Sequence, residues 1–263
     1  VHINILHFRA LPFKAGMNIK AYLEVVNYLM VGNLRDTLKW VYIYDYIRMD
    51  MGFNYLDDCF ASQVLNTMIN GLEVIYEVEK YLQELIGGAN VYVVGAGPTC
   101  FEELKSLDVE PEVLIAADGA MRCCLDAGYK PHVVVTDLDG LSIKDLRHDD
   151  VVYVVHAHGD NIDKLLNYVG FIKGRLLGTT QCVQTGRLRI YGGFTDGDRA
   201  AYLAHFFGAR SIRLVGFDLR SGLVGKYSKP WMGVNSYATP TKLKKFKWAE
   251  RLLNMLRLYS KLY

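Results

Sequence analysis

A chain of 263 residues, 51% hydrophobic and 22% charged, carries enough apolar matter for one large core or a core with an appendage, and nothing in it reads as disordered. Its 30 basic side chains against 28 acidic ones leave a net charge of +2, which removes the electrostatic case for a nucleic-acid binder. Five cysteines without a CxxC pair exclude zinc fingers and disulfide scaffolds and predict reduced thiols, while no apolar run approaches the ~20 residues of a membrane span and no signal peptide is visible. A cytoplasmic protein is expected.

Residues 1–16 have no clear period and contain Pro12 and Gly16, and Met17 could itself be the biological start, so this segment is read as an upstream extension, and residues 1–37 are set apart as N-terminal to the helical subdomain. From Asn18 to Met49 the pattern is helical with a break at Gly32-Asn33, and Trp40, Tyr44 and Ile47 share one face. The clearest helix is predicted from Tyr55 to Ile86, where Leu56, Phe60, Val64, Leu65, Met68, Leu72, Ile75 and Leu82 recur at helical spacing and Gly87-Gly88 supplies the stop. A helical subdomain over 38–88 is expected to end there.

After Gly88 short β-branched runs alternate with helix-like segments, the texture of βαβ units and buried parallel strands. Strands are predicted at Val91–Val94, Val113–Ala116, Val133–Thr136, Val151–His156, Phe171–Leu177, Leu188–Tyr191 and Ile212–Val215, with helices such as Phe101–Leu107, Gly119–Ala127, Asn161–Tyr168 and Asp198–Phe207 between them. A last amphipathic helix runs from Thr241 to Tyr259 with a basic face. The expected architecture over 89–263 is a Rossmann-like, three-layer α/β domain with a mostly parallel sheet, preceded by the small helical subdomain. The N-terminal helices and the basic C-terminal helix offer surfaces for a homodimer.

Parallel strands end on one edge of their sheet, where open α/β folds bind ligands. Gly95-Ala96-Gly97-Pro98-Thr99 follows the first strand, either to admit a phosphate at the next helix or as a plain tight turn. Asp118, in Ala117-Asp118-Gly119-Ala120, is a ligand or an N-cap at the same edge. Asp137 and Asp139 follow the run Val133-Val134-Val135, and alternate residues of an extended segment would point the same way, so one hard cation can take both. His156 and His158 read as neutral hydrogen-bond donors to phosphate rather than zinc ligands, and Asp160 and Asn161 cap the next helix or hold a metal-bound water. Gly178-Thr179-Thr180-Gln181 suits a phosphate, a heterocycle edge or a turn.

Gly192-Gly193-Phe194-Thr195-Asp196-Gly197-Asp198-Arg199 then packs paired glycines, two carboxylates and an arginine ahead of a helix, with Arg199 either ion-paired or clamping an anionic oxygen. Gly216-Phe217-Asp218 ends the last strand, and the loop Gly222 to Pro230 brings Lys226 and Lys229. Each close carboxylate pair costs about 4 kcal/mol at about 4 Å and an effective dielectric near 20, so such a rim calls for a divalent cation, and Mg²⁺ with a polyphosphate is the simplest occupant.

Taken together, Gly-Ala-Gly-Pro-Thr, Ala-Asp-Gly-Ala, Thr-Asp-Leu-Asp-Gly, His-Ala-His-Gly-Asp-Asn, Gly-Thr-Thr-Gln, Gly-Phe-Thr-Asp-Gly-Asp-Arg-Ala and Val-Gly-Lys-Tyr-Ser-Lys-Pro resemble the archaeal 6-hydroxymethyl-7,8-dihydropterin pyrophosphokinases, whose catalytic domain is similar to thiamine pyrophosphokinase. The resemblance implies Mg²⁺-dependent transfer of diphosphate from ATP to a reduced pterin, giving AMP. It implies metal at Asp137 and Asp139, with Asp118, Asp160, Asp196 and Asp198 as further ligands or hydroxyl-orienting groups, and Arg199, His156 and His158 on the phosphates. Gly95, Gly97, Pro98, Thr99, Asn161, Thr195 and Lys226 are expected on the nucleotide, and Gln181, Phe217 and Asp218 on the pterin. The competing readings are a sugar-nucleotide-dependent transferase related to flagellin modification and a nucleotide-binding module without turnover.

Overall fold

The computed structural model describes residues 33–69, 71–182 and 186–263, so the extension over 1–16 lies outside the described residues. Three helices come first: α1 (Asn33–Met51), α2 (Tyr55–Met68) and α3 (Leu72–Ile86). The expected single helix from Tyr55 to Ile86 is thus two. The backbone is extended at Ile69 (ψ 143°) and Gly71 (ψ 166°), which ends one ladder and starts the next despite unbroken apolar spacing. Asn54 starts α2 by accepting the Leu56 N–H at 3.0 Å.

The sheet has six parallel strands, β1 (Asn90–Val94), β2 (Val113–Ala117), β3 (Val133–Thr136), β4 (Val152–Ala157), β5 (Arg175–Thr180) and β6 (Ser211–Val215), in the order β5-β4-β3-β2-β1-β6. Every residue of β2, β3 and β4 is buried, which is why those strands read as continuous β-branched runs. Each valine removed from water there stabilises the fold by about 1.5–3 kcal/mol. Helices α4 (Cys100–Lys105), α5 (Ala120–Asp126), α6 (Ile162–Tyr168) and α7 (Asp196–Phe206) cover the faces. A short hairpin of β7 (Leu223–Val224) and β8 (Ser236–Tyr237) and the long helix α8 (Pro240–Leu256) complete the chain.

Two strand expectations shift. Phe171 belongs to a 3₁₀ turn and the strand begins at Arg175, while Leu188–Tyr191 forms no strand beyond a bridge between Thr179 and Arg189. Leu188 and Ile190 are buried, so the run was apolar for packing rather than for pairing. The β6 edge is closed by the chain end, Ile212 N–H donating to Lys261 O at 2.8 Å and Tyr263 N–H to Ile212 O at 2.9 Å.

The helical segment shares the sheet's core: Tyr44, Ile47, Leu65 and Ile75 are buried within the same cluster as the strands. The thiol expectation is corrected here. Cys59 on α2 is disulfide-bonded to Cys182 after β5, Cys100 to Cys123 joins α4 to α5, and Cys124 alone is free. Cys59 and Cys182 lie 123 residues apart, a pairing created by the docking of α2 and invisible to local spacing. Among the described residues no helix is long and apolar enough to cross a membrane.

Candidate active site

The carboxyl ends of β1 to β6 open into one cleft of about 650 Å³, and β1, flanked by β2 on one side and β6 on the other, marks the topological switch point. Asp118, Asp137 and Asp139 offer oxygens that all lie within 4.8 Å of one another. Asp118 is fixed by its own N–H donating to Val135 O at 2.7 Å and by the Thr136 hydroxyl donating to its carboxylate at 2.6 Å. Gly140 lets that carboxylate in, since a Cβ there would collide with it.

The Asp-Leu-Asp segment is not the extended stretch expected. Leu138, fully buried, has φ 70°, and Asp118 has φ 49°, so two non-glycine residues at the site sit in the left-handed region at a cost of about 1–2 kcal/mol each. The Leu138 N–H donates to the Thr136 hydroxyl at 2.7 Å and the Asp139 N–H to Asp137 Oδ1 at 3.1 Å, which holds the turn and keeps both acids on the cleft.

Burial pushes the Asp118 carboxyl well above the usual carboxylate range, and the charges of Asp137 and Asp139 add to it. Asp196, at the start of α7, is raised in the same way by burial and by Asp137, Asp118 and Asp139. For Asp137 burial acts upward, but the hydrogen bonds from His158 and Asp139 and the charge of Lys229 overcome it and hold the group below its ordinary range. Lys229, from the loop between β7 and β8, is ion-paired with Asp139 and is the internal cation of this rim.

The two histidines have opposite roles. The Asp160 N–H donates to His158 Nδ1 at 3.2 Å, so Nε2 carries the proton and meets Asp137 Oδ2 at 3.2 Å. His156 is 2% exposed, bonded through Nδ1 to the Thr179 hydroxyl at 3.0 Å, and its buried Nε2 makes no hydrogen bond of good geometry among the described residues, with the Gln181 side chain beside it. An unsatisfied buried group of this kind costs about 1–3 kcal/mol. Burial, aided by Arg199 and His158, pushes its imidazole well below the usual value.

A buried polar chain closes the β4–β5 end. Gln181 Nε2 donates to Asp58 at 2.6 Å, Gly159 N–H donates to Asp58 at 2.9 Å, Arg48 donates to Gln181 O at 3.0 Å, and Arg199 donates to Gln181 Oε1 at 3.1 Å and to the Tyr44 hydroxyl at 3.3 Å. Arg199 is 6% exposed and makes no ion pair among the described residues. The rings of Phe53 and Phe194, 6.4 Å apart, stand on the same cleft.

Of the residues singled out in the sequence, Gly95, Gly97, Asp118, Asp137, Asp139, His156, His158, Asp160, Gln181, Thr195, Asp196, Arg199, Phe217 and Asp218 line this cleft. Asp160 is exposed and stands outside the group of three acids. Asp198 faces away and caps α7, accepting from Phe194 N–H at 2.6 Å and Thr195 N–H at 2.8 Å. Asn161 is scaffolding, donating to Asp137 O at 2.9 Å and His156 O at 2.7 Å. The Gly95 and Gly97 amides are already spent on Val215 O at 2.8 Å and Gly216 O at 3.0 Å, and a Cβ at Gly97 would collide with Gly216. Pro98 and the exposed Thr99 lie off the cleft, and Lys226 extends over the rings of Phe101 and Tyr227 instead.

Reading the sequence missed Phe53, Asn54 and Asp58 as cleft residues and favoured Lys226 over Lys229. The acidic pair Asp57-Asp58 behind the Asn54 cap was the available signal, but a helix's first turn attracts acids for electrostatic reasons alone.

Fold and rim define an α/β protein whose cleft suits a hard cation together with an anionic ligand. A family profile described as 6-hydroxymethylpterin diphosphokinase MptE-like matches residues 66–222. The chain belongs to that family. It is similar to proteins named 6-hydroxymethyl-7,8-dihydropterin pyrophosphokinase from three archaea: 44% identical over 221 residues in Pyrococcus furiosus (83% of this chain, 93% of that protein), 33% over 236 in Methanocaldococcus jannaschii (84% and 96%) and 36% over 225 in Methanothermobacter thermautotrophicus (82% and 93%).

Proposed function

We propose that this protein transfers diphosphate from ATP to the hydroxymethyl group of 6-hydroxymethyl-7,8-dihydropterin, releasing AMP, in the making of a reduced pterin cofactor of tetrahydromethanopterin or folate type. The observation that carries this reading is the meeting of Asp118, Asp137 and Asp139 within 4.8 Å, in a chain of this family. Three carboxylates with no sulfur or nitrogen donor among them fit a hard divalent cation, so these residues would hold Mg²⁺. When bound, Mg²⁺ supplies charge neutralisation for the polyphosphate.

The remaining work falls to the protein's own side chains. The substrate hydroxyl attacks the β-phosphorus, the bond to the α-phosphate oxygen breaks, and AMP leaves. Asp196, on the same rim, orients the hydroxyl, and a loose transition state needs no strong base. Arg199, without an ion-pair partner among the described residues, supplies a guanidinium for the phosphate oxygens, and Lys229 adds an ammonium once it leaves Asp139. His158 keeps Asp137 ionised and turned to the cleft.

Purified protein incubated with ATP, Mg²⁺ and the reduced hydroxymethylpterin is expected to release AMP and pterin diphosphate in equal amounts. Release of ADP, or of no nucleotide product, would reject diphosphate transfer, and turnover of a sugar nucleotide would favour the glycosyl-transfer alternative.

A further inference from the structure

The one buried side-chain polar atom that lacks a partner among the described residues is His156 Nε2, and its residue lines the cleft. Its chemistry depends on its other side. The Thr179 hydroxyl has one proton and lies 3.2 Å from Val155 O and 3.0 Å from His156 Nδ1. Given to Val155 O, that proton leaves a hydroxyl lone pair facing Nδ1, which then carries the imidazole proton and leaves Nε2 as an acceptor, with the Gln181 side chain as its polar neighbour. Protonating Nε2 is opposed by burial and by the neighbouring Arg199 guanidinium. An acceptor of this kind repels phosphate oxygens and attracts an N–H, a different role from the phosphate donor read from the sequence.

The surroundings fit a flat, nitrogen-rich ring. Phe53 and Phe194 supply aromatic faces on the same cleft, and the Asp58–Gln181–Arg199 chain at this end is braced by α2 and by the Cys59–Cys182 disulfide directly beside Asp58 and Gln181. We propose that His156 holds this tautomer and that its Nε2 accepts a hydrogen bond from an N–H on the pyrimidine edge of the pterin, making His156 a specificity-determining residue and placing the pterin in the β4–β5 half of the cleft. The nucleotide is thereby assigned to the opposite half, between the turn at Gly95–Gly97 and Gly216–Asp218. This inference rests on the pterin diphosphotransferase reading.

His156→Leu removes the acceptor, and His156→Gln restores one at nearly the same place. The expected result is a KM for pterin raised about tenfold or more in His156→Leu, a KM for ATP changed by less than about twofold, and recovery of most of the pterin KM in His156→Gln. In the wild-type protein the ¹⁵N shift of His156 Nε2 is expected to be that of an unprotonated nitrogen and to move on adding the pterin alone, and not on adding a non-hydrolysable ATP analogue alone. A proton found on Nε2, a shift moved by the ATP analogue instead, or a loss confined to the KM for ATP overturns the assignment. Equal damage from Leu and Gln does so as well. Should His156→Leu fail to fold, the wild-type shifts still decide. A wild-type enzyme that releases no AMP with the pterin defeats the functional reading itself, before any variant is made.

Discussion

Asp137→Asn tests the central electrostatic argument because it exchanges one oxygen for an amide without changing volume. The carboxylate faces two other acids with oxygens no more than 4.8 Å away, and an uncompensated pair at that distance costs about 3.5 kcal/mol at an effective dielectric near 20. The raised pKa of Asp118 and the ion pair of Lys229 with Asp139 take up that repulsion, and the depressed pKa of Asp137 means that the folded state favours its charged form. The variant loses the charge-assisted bond from His158 at 3.2 Å, about 1.5–3 kcal/mol, while Oδ1 still accepts from the Asp139 N–H. In EDTA the variant should therefore unfold at a lower temperature than wild type. Mg²⁺ should raise the wild-type Tm by preferential binding to the folded state and leave the variant's nearly unmoved. AMP release should fall about 10³-fold or more. Differential scanning fluorimetry with and without Mg²⁺, beside an AMP assay, reads all three quantities. A variant as stable as wild type in EDTA would contradict the electrostatic balance at Asp137, and one that retains turnover or responds to Mg²⁺ as wild type does would refute the metal assignment.

Lys229→Met removes the internal cation, and in EDTA it should cost about 1–2 kcal/mol, a figure discounted for the solvent that reaches Asp139; Mg²⁺ should restore most of the loss, as urea titrations would show. Asp118→Asn addresses pH. The folded-state pKa of Asp118 is raised by burial and by Asp137 and Asp139, so its contribution is intact below its ordinary value of 3.8 and lost as pH rises through the folded value. The stability of wild type in EDTA should consequently decline relative to Asp118→Asn as pH rises above about 4. His156, depressed by burial and Arg199, acts in the other sense below 6.5 but is common to both proteins and cancels in the difference. Equal pH slopes would contradict the shift. Finally, alkylation of the denatured, unreduced protein should label Cys124 alone of the five cysteines, and Cys59→Ser should cost about 2–4 kcal/mol by urea unfolding; labelling of all five would remove both cross-links.

What the sequence made legible follows from how completely each element is enclosed. Strands β2, β3 and β4, buried on both faces, announce themselves as Val-rich runs, and the residues at or just after their carboxyl ends fall on the rim by topology alone, which is how Asp118, Asp137, His156 and His158 could be placed from the sequence. Leu188–Tyr191 carries the same apolar signature without pairing, because burial and strand formation are separate demands that one pattern cannot distinguish. Roles were harder than locations. Asp198 and Asp196 are two residues apart in the same motif, yet α7 turns one into its capping box and the other into the cleft. Lys226 and Lys229 differ only by where a 3₁₀ turn leaves them. Asp58, and the pairing of Cys59 with Cys182, depend on a helix docking onto strands over a hundred residues away, information that no local window contains.

The rim is held in a state that the fold alone would not choose. Asp118 and Leu138 occupy left-handed backbone, like charges crowd one another, and His156 Nε2 is buried without a hydrogen bond of good geometry among the described residues, while the surrounding groups spend their hydrogen bonds on fixing this arrangement: Thr136 on Asp118, Asn161 on the main chain of Asp137 and His156, Gln181 on Asp58. Such scaffolding is useful only if a ligand removes the costs it maintains. A cation relieves the three acids and frees Lys229, and a donor heterocycle satisfies His156, so the two relief events lie in adjacent parts of one cleft. Binding energy from each partner would then act on the same small set of residues that positions the other, and saturating Mg²⁺ with nucleotide should tighten pterin binding by the same factor that pterin tightens nucleotide binding.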